Sequence, residues 1–324
     1  MSHAVSVLFM GTPDFAVPSL EALVNAGYPT TVVTQPDREV GRKKVLTPPV
    51  VKQAAQKLGL EVLQPEKVGA QAVLEKIAEL GPSVAITAAY GQILPQRLLD
   101  LFPFGVLNIH ASLLPRWRGA APIQRAIMAG DETTGVTLMK TVLALDAGPV
   151  LGAEKVAIEP DDDTGTLHDK LAQAGADLLV RLLPQYLAGE LIPVEQETTG
   201  ITYAHRIGRE DEFVNWGQDA RTVYNQLRAL SPAPGASTVY RGQTLKIWSS
   251  KPAADEAGGA SNVLAGTAVL QDGKVLVRCN DGFVELLELQ PSGKRKMVAS
   301  DWLRGVKERT IQFDSRDSHH DKLS

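Results

Sequence analysis

The sequence predicts an α/β domain built on a parallel sheet, followed by a smaller domain built as a β-barrel. Its length of 324 residues fits two domains of ordinary size. Through residue 189, short apolar runs alternate with helix-type segments, which is the pattern of a parallel sheet with helices on its faces. Beyond residue 210, apolar residues recur with a period of two in several short runs. These observations together predict the fold class.

Four segments are expected along the chain. A linker is predicted between the two domains because the helical pattern there gives way to Pro193 and to a Thr-Thr-Gly run. The last ten residues are polar and are predicted to fray. The predicted segments are the first domain at residues 1–189, the linker at 190–209, the second domain at 210–314 and the polar tail at 315–324.

The first domain begins with a strand, a turn and a helix. Residues 5–10 form an apolar run, and helical periodicity extends over residues 15–26. Asp14 suits the N-cap of this helix, and Gly27 suits its end. The turn between strand and helix lacks the G-x-G-x-x-G pattern, which disfavours a dinucleotide-binding site.

Further strands and helices alternate along the first domain. The loop that begins at Tyr90 should lie at the carboxyl end of a strand, where open parallel sheets bind their ligands. The predicted strands cover residues 28–34, 61–63, 84–88, 105–110 and 135–141, and the predicted helices cover residues 50–58, 70–80, 122–129 and 167–187.

The second domain is predicted to consist mainly of short strands with turn signals between them. A short helix at residues 222–230 precedes these strands. The pattern is typical of a small β-barrel. The predicted strands cover residues 238–240, 245–248, 266–270, 274–278 and 283–289.

Chemistry is expected at the end of the predicted strand 105–110, where polar side chains follow an apolar run. Asn108 and His110 are two residues apart, so their side chains project from the same face of a strand. An amide beside an imidazole suits a carbonyl reaction, in which one group donates to a developing oxyanion and the other moves a proton. We interpret this strand end as the candidate catalytic site.

Acidic residues occur in two further places of interest. Asp146 lies in a predicted turn, where a turn-forming role and a role as catalytic partner are both open. The acidic run at residues 159–163 is interpreted as a loop and cap for the helix at 167–187, since acidic side chains are favoured at helix N-termini.

Residues 35–49 break every periodicity and are predicted to form a long loop. Its basic side chains outnumber its acidic ones, and Arg42, Lys43 and Lys44 follow directly on Gly41. A solvated charged loop and a phosphate-binding loop are both consistent with this composition.

The bulk composition indicates a soluble globular protein, with 44% hydrophobic and 22% charged residues and a net charge of -4. No apolar run approaches the ~20 residues of a membrane span and no signal peptide pattern begins the chain, so a cytoplasmic protein without a membrane partner is expected. The single cysteine, Cys279, lies in a strand-like run and is expected to pack in a core. No group of residues has metal-ligand spacing, so no metal is expected.

Several motifs follow one another in a fixed order. Residues 108–123 read Asn-Ile-His-Ala-Ser-Leu-Leu-Pro-Arg-Trp-Arg-Gly-Ala-Ala-Pro-Ile, residues 90–95 read Tyr-Gly-Gln-Ile-Leu-Pro, and residues 145–148 read Leu-Asp-Ala-Gly. In this combination the chain resembles the 10-formyltetrahydrofolate-dependent formyltransferases. Residues 9–15 and 35–44 resemble the members of that family that act on methionyl-tRNA.

The resemblance implies a Rossmann-like N-terminal formyltransferase domain followed by a C-terminal OB-like β-barrel that helps to hold tRNA. It implies that Asn108, His110 and Asp146 are catalytic, with Asp146 folded against His110 to orient its ring. The expected reaction transfers the formyl group of 10-formyltetrahydrofolate to the α-amine of initiator methionyl-tRNA, which supplies N-formylmethionyl-tRNA for translation initiation. The enzyme is expected to be monomeric and to need no metal.

The resemblance also implies two binding surfaces. The tRNA-binding surface comprises Arg42, Lys43 and Lys44. The folate-binding surface lies beside the catalytic residues and comprises Ser112, Leu113, Leu114, Pro115, Tyr90, Gly91 and Ile93.

Other functions stay open on the residues alone. A related enzyme with the same catalytic residues could use another amine acceptor, such as glycinamide ribonucleotide or a UDP-amino sugar, or could hydrolyse formyl-folate to formate. A non-catalytic OB-type nucleic-acid binder with a degenerate Rossmann partner is a different class of protein. The basic loop and the barrel favour a tRNA acceptor, and the presence of Asn108, His110 and Asp146 favours an enzyme.

Overall fold

The computed structural model describes residues 5–41, 43–253, 263–306, 308 and 310–314. The chain forms two compact units, each assembled from three segments of the sequence. The first unit comprises Met1–Pro122, Thr133–Ala157 and His168–Ala204, and the second unit comprises Ile123–Glu132, Ile158–Leu167 and His205–Ser324.

Helices and strands alternate through the first unit, whereas strands dominate the second. The helices are α1 (Val17–Asn25), α2 (Val50–Lys57), α3 (Gln71–Leu80), α4 (Gln96–Leu99), α5 (Pro122–Met128), α6 (Thr164–Leu187), α7 (Arg209–Glu212), α8 (Ala220–Ala229) and α9 (Ala299–Val306). The strands of the first unit are β1 (Val7–Gly11), β2 (Thr30–Val33), β3 (Arg38–Val40), β4 (Val45–Thr47), β5 (Val62–Leu63), β6 (Val84–Ala88), β7 (Val106–His110), β8 (Arg118–Gly119), β9 (Thr133–Lys140), β10 (Val150–Ala157) and β11 (Tyr203–Ala204). The strands of the second unit are β12 (Ala236–Tyr240), β13 (Gln243–Pro252), β14 (Thr267–Gln271), β15 (Lys274–Arg278), β16 (Phe283–Pro291), β17 (Met297–Val298) and β18 (Thr310–Gln312). Within the described ranges, no helix combines the length and apolar character needed to cross a bilayer.

A seven-stranded sheet forms the centre of the first unit, in the order β10-β9-β7-β6-β1-β2-β5. The five neighbouring strands β7, β6, β1, β2 and β5 are parallel. Strand β9 runs antiparallel to β7, and β10 runs antiparallel to β9. Every residue of β1 and of β6 is buried, which is typical of parallel strands covered by helices on both faces. The predicted Rossmann-like α/β domain is confirmed.

The order of the strands decides where a site can form. Strands β1, β6 and β7 are parallel neighbours, so their carboxyl ends meet at one edge of the sheet. Asn108 of β7 pairs with Thr87 of β6, and His110 of β7 pairs with Thr137 of β9. The polar residues that suggested chemistry therefore stand at the central carboxyl edge.

Strand β10 is absent from the sequence-based prediction. It lies at the edge of the sheet, and Leu151 is its only buried residue. An edge strand is half solvated and can carry charged side chains, such as Glu154 and Lys155 here. Its composition therefore resembles that of a loop, which explains why the period-two pattern did not reveal it.

The first helix begins later than predicted. Asp14 lies inside a short 3₁₀ turn, Asp14–Ala16, and the N-cap of α1 is Ala16, so the prediction that Asp14 caps this helix is wrong. The carboxylate of Asp14 instead accepts from the Phe15 N–H at 3.1 Å and lies 3.3 Å from Nε2 of His168. Gly27 has a φ of +83° just beyond α1, as expected for a residue that ends a helix.

The second unit contains an antiparallel sheet in the order β12-β13-β16-β15-β14-β18, with β17 paired to β16. Leu245 and Ile247 of β13 are buried two residues apart, which produces the period of two seen in this part of the sequence. Helix α8 packs against β13 and β16, and α9 packs against β15 and β16. The predicted OB-like fold of the C-terminal part is confirmed.

Aromatic side chains organise the core of the second unit. Trp216 stacks on Phe313 with 5.7 Å between ring centroids, and Trp302 stacks on Phe313 at 6.4 Å. The indole N–H of Trp216 donates to Oγ1 of Thr238 at 3.0 Å, so its burial leaves no unsatisfied donor. Cys279 lies in the same core with 1% of its surface exposed, which confirms the packing role expected for it.

We predict that Cys279 does not react with an aromatic disulfide reagent in the folded protein at pH 8. Burial raises the pKa of its thiol to about 12. Only about one thiol in 10⁴ is then ionised at pH 8, and the thiolate is the reactive form. The absorbance of released reagent should show almost no labelling before guanidinium chloride is added and one thiol per chain afterwards. Fast, complete labelling of the native protein would show that Cys279 is not buried in this core.

Candidate active site

Asn108 and His110 leave strand β7 on one face, as the two-residue spacing predicted. Asn108 is half-buried, and His110 has 6% of its surface exposed. Both lie at the carboxyl edge of the sheet, in the last three residues of the strand. Because the flanking strands β6 and β9 hold β7 on both sides, the backbone beneath these side chains is fixed.

The amide of Asn108 is oriented by a neighbouring strand. Oγ1 of Thr87, on β6, donates to Oδ1 of Asn108 at 2.8 Å. With its oxygen held in this way, the amide turns its NH₂ group away from Thr87. Asn108 can therefore present a hydrogen-bond donor at the sheet edge, which is the chemical group that a developing oxyanion requires.

The ring of His110 is held between two loops. Nε2 lies 2.9 Å from the carbonyl oxygen of Trp117, and because a carbonyl only accepts, this ring nitrogen carries a proton. Nδ1 faces Oδ2 of Asp146 at 3.7 Å, which is within reach of charge attraction but longer than a direct hydrogen bond. The structure thus brings Asp146 beside His110, and Nδ1 is the ring nitrogen on the side of the carboxylate.

Asp146 is positioned by a backbone amide of strand β8. Its Oδ2 accepts from the Gly119 N–H at 2.8 Å, and its side chain is 16% exposed. Gly119 has a φ of +125°, and a Cβ there would lie 2.7 Å from the carbonyl oxygen of Ala204. Only glycine fits this position, and the close approach aims the Gly119 N–H at the carboxylate.

The loop from Ser112 to Pro115 follows β7 directly. Ser112 is fully buried, and its hydroxyl donates to the carbonyl oxygen of Arg116 at 2.6 Å. Thr137 of β9 holds the same loop, since Oγ1 donates to the Ser112 carbonyl at 2.7 Å and accepts from the Leu114 N–H at 3.1 Å. Ser112 therefore shapes the loop, while Leu113, Leu114 and Pro115 are half-buried at its surface.

Tyr90, Gly91 and Ile93 lie on the loop after β6 and differ in exposure. Tyr90 is 4% exposed in the core of the first unit, where burial raises the pKa of its phenol. Its carbonyl oxygen accepts from Oγ1 of Thr12 at 2.8 Å, which ties this loop to the one after β1. Gly91 has a φ of +87°, and Ile93 is 92% exposed. Ile93 is the member of this group whose side chain a ligand can reach.

The basic segment is a hairpin, so the prediction of an irregular loop at residues 35–49 is wrong. Strands β3 and β4 pair antiparallel with Val40 opposite Val45. Each strand has three residues and all of them are exposed, so neither shows a buried face from which a period of two could be read. Lys43 and Lys44 are exposed at the tip, where Lys44 lies 3.8 Å from Glu39. Arg42 lies outside the described residues.

Thr87, Trp117 and Gly119 have contacts in the site that sequence reasoning missed. Thr87 is a polar residue in the otherwise apolar run of β6, which was an available signal. Its partner could not be identified, however, because the register of β6 against β7 is not readable from periodicity. Within the part of the chain that the structure describes, no group of three or more His, Cys, Asp or Glu side chains is arranged to hold a metal ion.

Comparisons with known proteins show the family to which the chain belongs. A family model described as formyl transferase matches residues 4–183, and a model of the formyl transferase C-terminal domain matches residues 206–307. The chain belongs to the formyl transferase family. The family resemblance seen in the motifs is thereby confirmed.

Relatives within the formyl transferase family include two bacterial proteins of similar length. The methionyl-tRNA formyltransferase of Bacillus licheniformis is 49% identical over 303 residues, which cover 93% of this chain and 95% of the relative. The methionyl-tRNA formyltransferase of Bacillus subtilis is 47% identical over 301 residues, covering 93% and 94%.

Two solved structures share the fold. An N-formyltransferase from Helicobacter canadensis, in complex with folinic acid and dTDP-3-aminofucose, has a TM-score of 0.68 at 18% identity and covers 90% of this chain and 100% of its own. HypX from Aquifex aeolicus, in complex with tetrahydrofolic acid, has a TM-score of 0.61 at 19% identity and covers 93% of this chain and 47% of its own. At such low identity these similarities concern the fold alone.

The hydroxyl of Thr87 should matter to formyl transfer through Asn108. Thr87→Val removes the donor that orients the amide, so the amide can turn its oxygen toward the reacting group, and the rate should fall about 3- to 10-fold for a lost hydrogen bond of ~1 kcal/mol. Thr87→Ser keeps a hydroxyl and should retain most of the rate. The rate of single-turnover formyl transfer is measured for both variants. A Thr87→Val rate equal to that of the wild type would show that Thr87 does not act on the reaction through Asn108.

Proposed function

We propose that this chain transfers the formyl group of 10-formyltetrahydrofolate to the α-amine of initiator methionyl-tRNA. The product, N-formylmethionyl-tRNA, would serve translation initiation. The observation that carries the proposal is the placement of Asn108, His110 and Asp146 at one sheet edge in a formyl transferase fold. The relatives that are 49% and 47% identical are named methionyl-tRNA formyltransferases, which supports methionyl-tRNA as the acceptor.

The reaction exchanges one carbon–nitrogen bond for another. The α-amine of the methionyl group attacks the formyl carbon, and the carbonyl oxygen becomes an oxyanion in a tetrahedral intermediate. The bond from the formyl carbon to N10 of the folate then breaks. One proton leaves the attacking amine and one proton reaches N10, so the enzyme must stabilise the oxyanion and handle a proton.

Asn108 is proposed to stabilise the oxyanion. Thr87 holds the amide oxygen, so the amide NH₂ is the group that faces the reacting carbonyl. The donor is fixed before the reaction begins, and a fixed donor loses no free energy to reorganisation as charge develops. His110 lies beside this donor on the same face of β7.

His110 and Asp146 are proposed to handle the proton. The carboxylate of Asp146 and Nδ1 of His110 lie 3.7 Å apart, and both can accept a proton from the amine. Nε2 donates to the Trp117 carbonyl, which fixes the plane of the ring and leaves Nδ1 as the nitrogen turned toward Asp146. The Gly119 N–H donates to Oδ2 of Asp146, which fixes the position of the carboxylate.

The folate is proposed to bind along the loops that flank these three residues. Leu113, Leu114 and Pro115 provide half-buried apolar surface beside β7, and Ile93 provides exposed apolar surface on the loop after β6. Apolar surface with a few polar groups is the usual composition of a small-molecule site. Ser112, Tyr90 and Gly91 are proposed to act by shaping these loops, since Ser112 and Tyr90 are buried.

The tRNA is proposed to contact the basic hairpin and the OB-like unit. Lys43 and Lys44 are exposed at the hairpin tip, and Arg42 precedes them in the sequence. Basic side chains at an exposed tip can pair with phosphates and release counterions. The hairpin also exposes the apolar side chains of Val40 and Leu46, at 56% and 65%, so it can contact more than phosphate.

A panel of amine acceptors tests the proposal. The protein is mixed with 10-formyltetrahydrofolate and with charged initiator tRNA, uncharged tRNA, glycinamide ribonucleotide, an amino sugar nucleotide, or buffer alone, and transferred formyl is counted. Rapid formylation of methionyl-tRNA only is the expected result. Transfer to a small amine without transfer to methionyl-tRNA, or release of formate in buffer alone, would refute it.

Loss of the Asn108 side chain should slow the chemical step. One preorganised oxyanion donor contributes ~3 kcal/mol, so Asn108→Ala should lower the single-turnover rate by about two to three orders of magnitude while folate binding changes little. The matched control is Asn25→Ala, which removes an exposed asparagine at the end of α1. If Asn108→Ala slowed transfer less than about tenfold, Asn108 would not be the oxyanion donor.

Neutralising the hairpin tip should weaken tRNA binding and its dependence on salt. A plot of log affinity against log salt has a negative slope, and each phosphate contact that is lost reduces the magnitude of that slope by about 0.7 to 0.9. The double substitution Lys43→Ala with Lys44→Ala should therefore reduce the magnitude of the slope by about one to two. Arg42→Ala should reduce it by about one. The control is Lys57→Ala, an exposed lysine on α2. Binding titrations at several salt concentrations measure the slopes. An unchanged slope would show that the hairpin is a solvated surface that does not bind phosphate.

A further inference from the structure

We infer that Gln196, held by Arg118, is a positioning residue that fixes the loop carrying Asp146. The inference rests on the proposed function of Asp146 in formyl transfer. Gln196 lies in the segment after α6, which the sequence suggested was only a linker between domains. All of the contacts involved lie within the first unit.

The amide of Gln196 bonds to two carbonyls of the catalytic loop. Nε2 donates to the carbonyl oxygen of Asp146 at 2.8 Å and to the carbonyl oxygen of Gly148 at 2.9 Å. On its other side, Oε1 accepts from Nε of Arg118 at 3.2 Å and from Nη2 at 2.7 Å. The partners of the NH₂ group, which also include Sδ of Met139 at 3.9 Å, only accept, and both partners of the oxygen only donate. The orientation of the amide is therefore determined by its surroundings.

The loop that carries Asp146 gains little stability from apolar burial. Asp146 has a φ of +45°, a left-handed conformation that costs a non-glycine residue free energy. The neighbouring side chains Leu143 and Leu145 are 67% and 61% exposed, so the loop buries little apolar surface. Gln196 adds two hydrogen bonds to the main chain, one to the carbonyl of the strained residue itself and one to the carbonyl of Gly148.

Strand β8 supports both the side chain and the main chain of Asp146. The Gly119 N–H of β8 donates to the carboxylate, while the adjacent Arg118, which is 8% exposed, acts on the main chain through Gln196. Strand β8 itself pairs with β11, with Arg118 opposite Tyr203 and Gly119 opposite Ala204. The segment that supplies Gln196 thus also supplies the strand that fixes β8, and it belongs to the catalytic architecture.

Substituting Gln196 should slow the chemical step more than it weakens substrate binding. Gln196→Glu keeps the size of the side chain and an acceptor for Arg118, but it loses both donors and turns an oxygen toward two carbonyls. A misplacement of a catalytic group by about 1 Å lowers rates up to ~100-fold, so kcat should fall about 10- to 100-fold with KM values changed less than about threefold. Gln185→Glu, on the exposed face of α6, is the matched control.

A double substitution separates positioning from general destabilisation. If Gln196 acts through Asp146, adding Gln196→Glu to Asp146→Asn should slow transfer by less than about twofold more, because contacts that act as a unit are not additive. A further fall as large as in the single variant, or a rate for Gln196→Glu alone equal to that of wild type, would overturn the inference.

Amide hydrogen exchange tests the contact without reference to activity. Gln196→Glu should raise exchange in residues 141–148 while residues 84–88 of β6 stay protected, because only the loop loses its support. Unchanged exchange in the loop would overturn the inference even if activity fell. Should the wild type fail to formylate methionyl-tRNA, the proposed function fails, whereas faster loop exchange in the variant would still support the contact.

Discussion

The carboxylate of Asp146 is the point on which the arrangement of the site depends. Its Oδ2 accepts from the Gly119 N–H at 2.8 Å and faces Nδ1 of His110 at 3.7 Å. The carboxylate comes from the loop after β9, the amide from β8 and the imidazole from β7. Three separate segments therefore meet at one oxygen atom, and the other contacts of the site, including that of Gln196, hold those segments in place.

The sheet and the loops contribute in different ways. Strands β1, β6 and β7 are almost fully buried and give a rigid edge, on which Thr87 orients Asn108 across one strand pair. The loop that carries Asp146 exposes apolar side chains and adopts a left-handed conformation at Asp146 itself. Its geometry therefore depends on hydrogen bonds to its main chain. Catalytic groups on loops need such support from the scaffold, since a group that is displaced by about 1 Å loses most of its effect.

Much of the fold and the centre of the site could be predicted from local patterns. Asn108 and His110 were identified from their spacing on a strand, since side-chain direction along a strand follows from the period of two. Asp146 was only a candidate, because its meeting with His110 depends on how two loops fold. The contacts of Thr87 and Gln196 could not be identified, because they join residues 21 and 50 positions apart in the sequence. Strand β10 and the β3–β4 hairpin were missed since neither buries a continuous apolar face.

A crystal structure with a stable 10-formyl-folate analogue would test the central claim most directly. The claim is that Asn108 and the pair of His110 with Asp146 converge on one formyl group. We expect the formyl oxygen to lie within hydrogen-bond distance, about 3 Å, of Nδ2 of Asn108, with the formyl carbon on the side of His110 and Asp146. A formyl group bound elsewhere, or an Asn108 amide that turns its oxygen toward it, would contradict this account of the site.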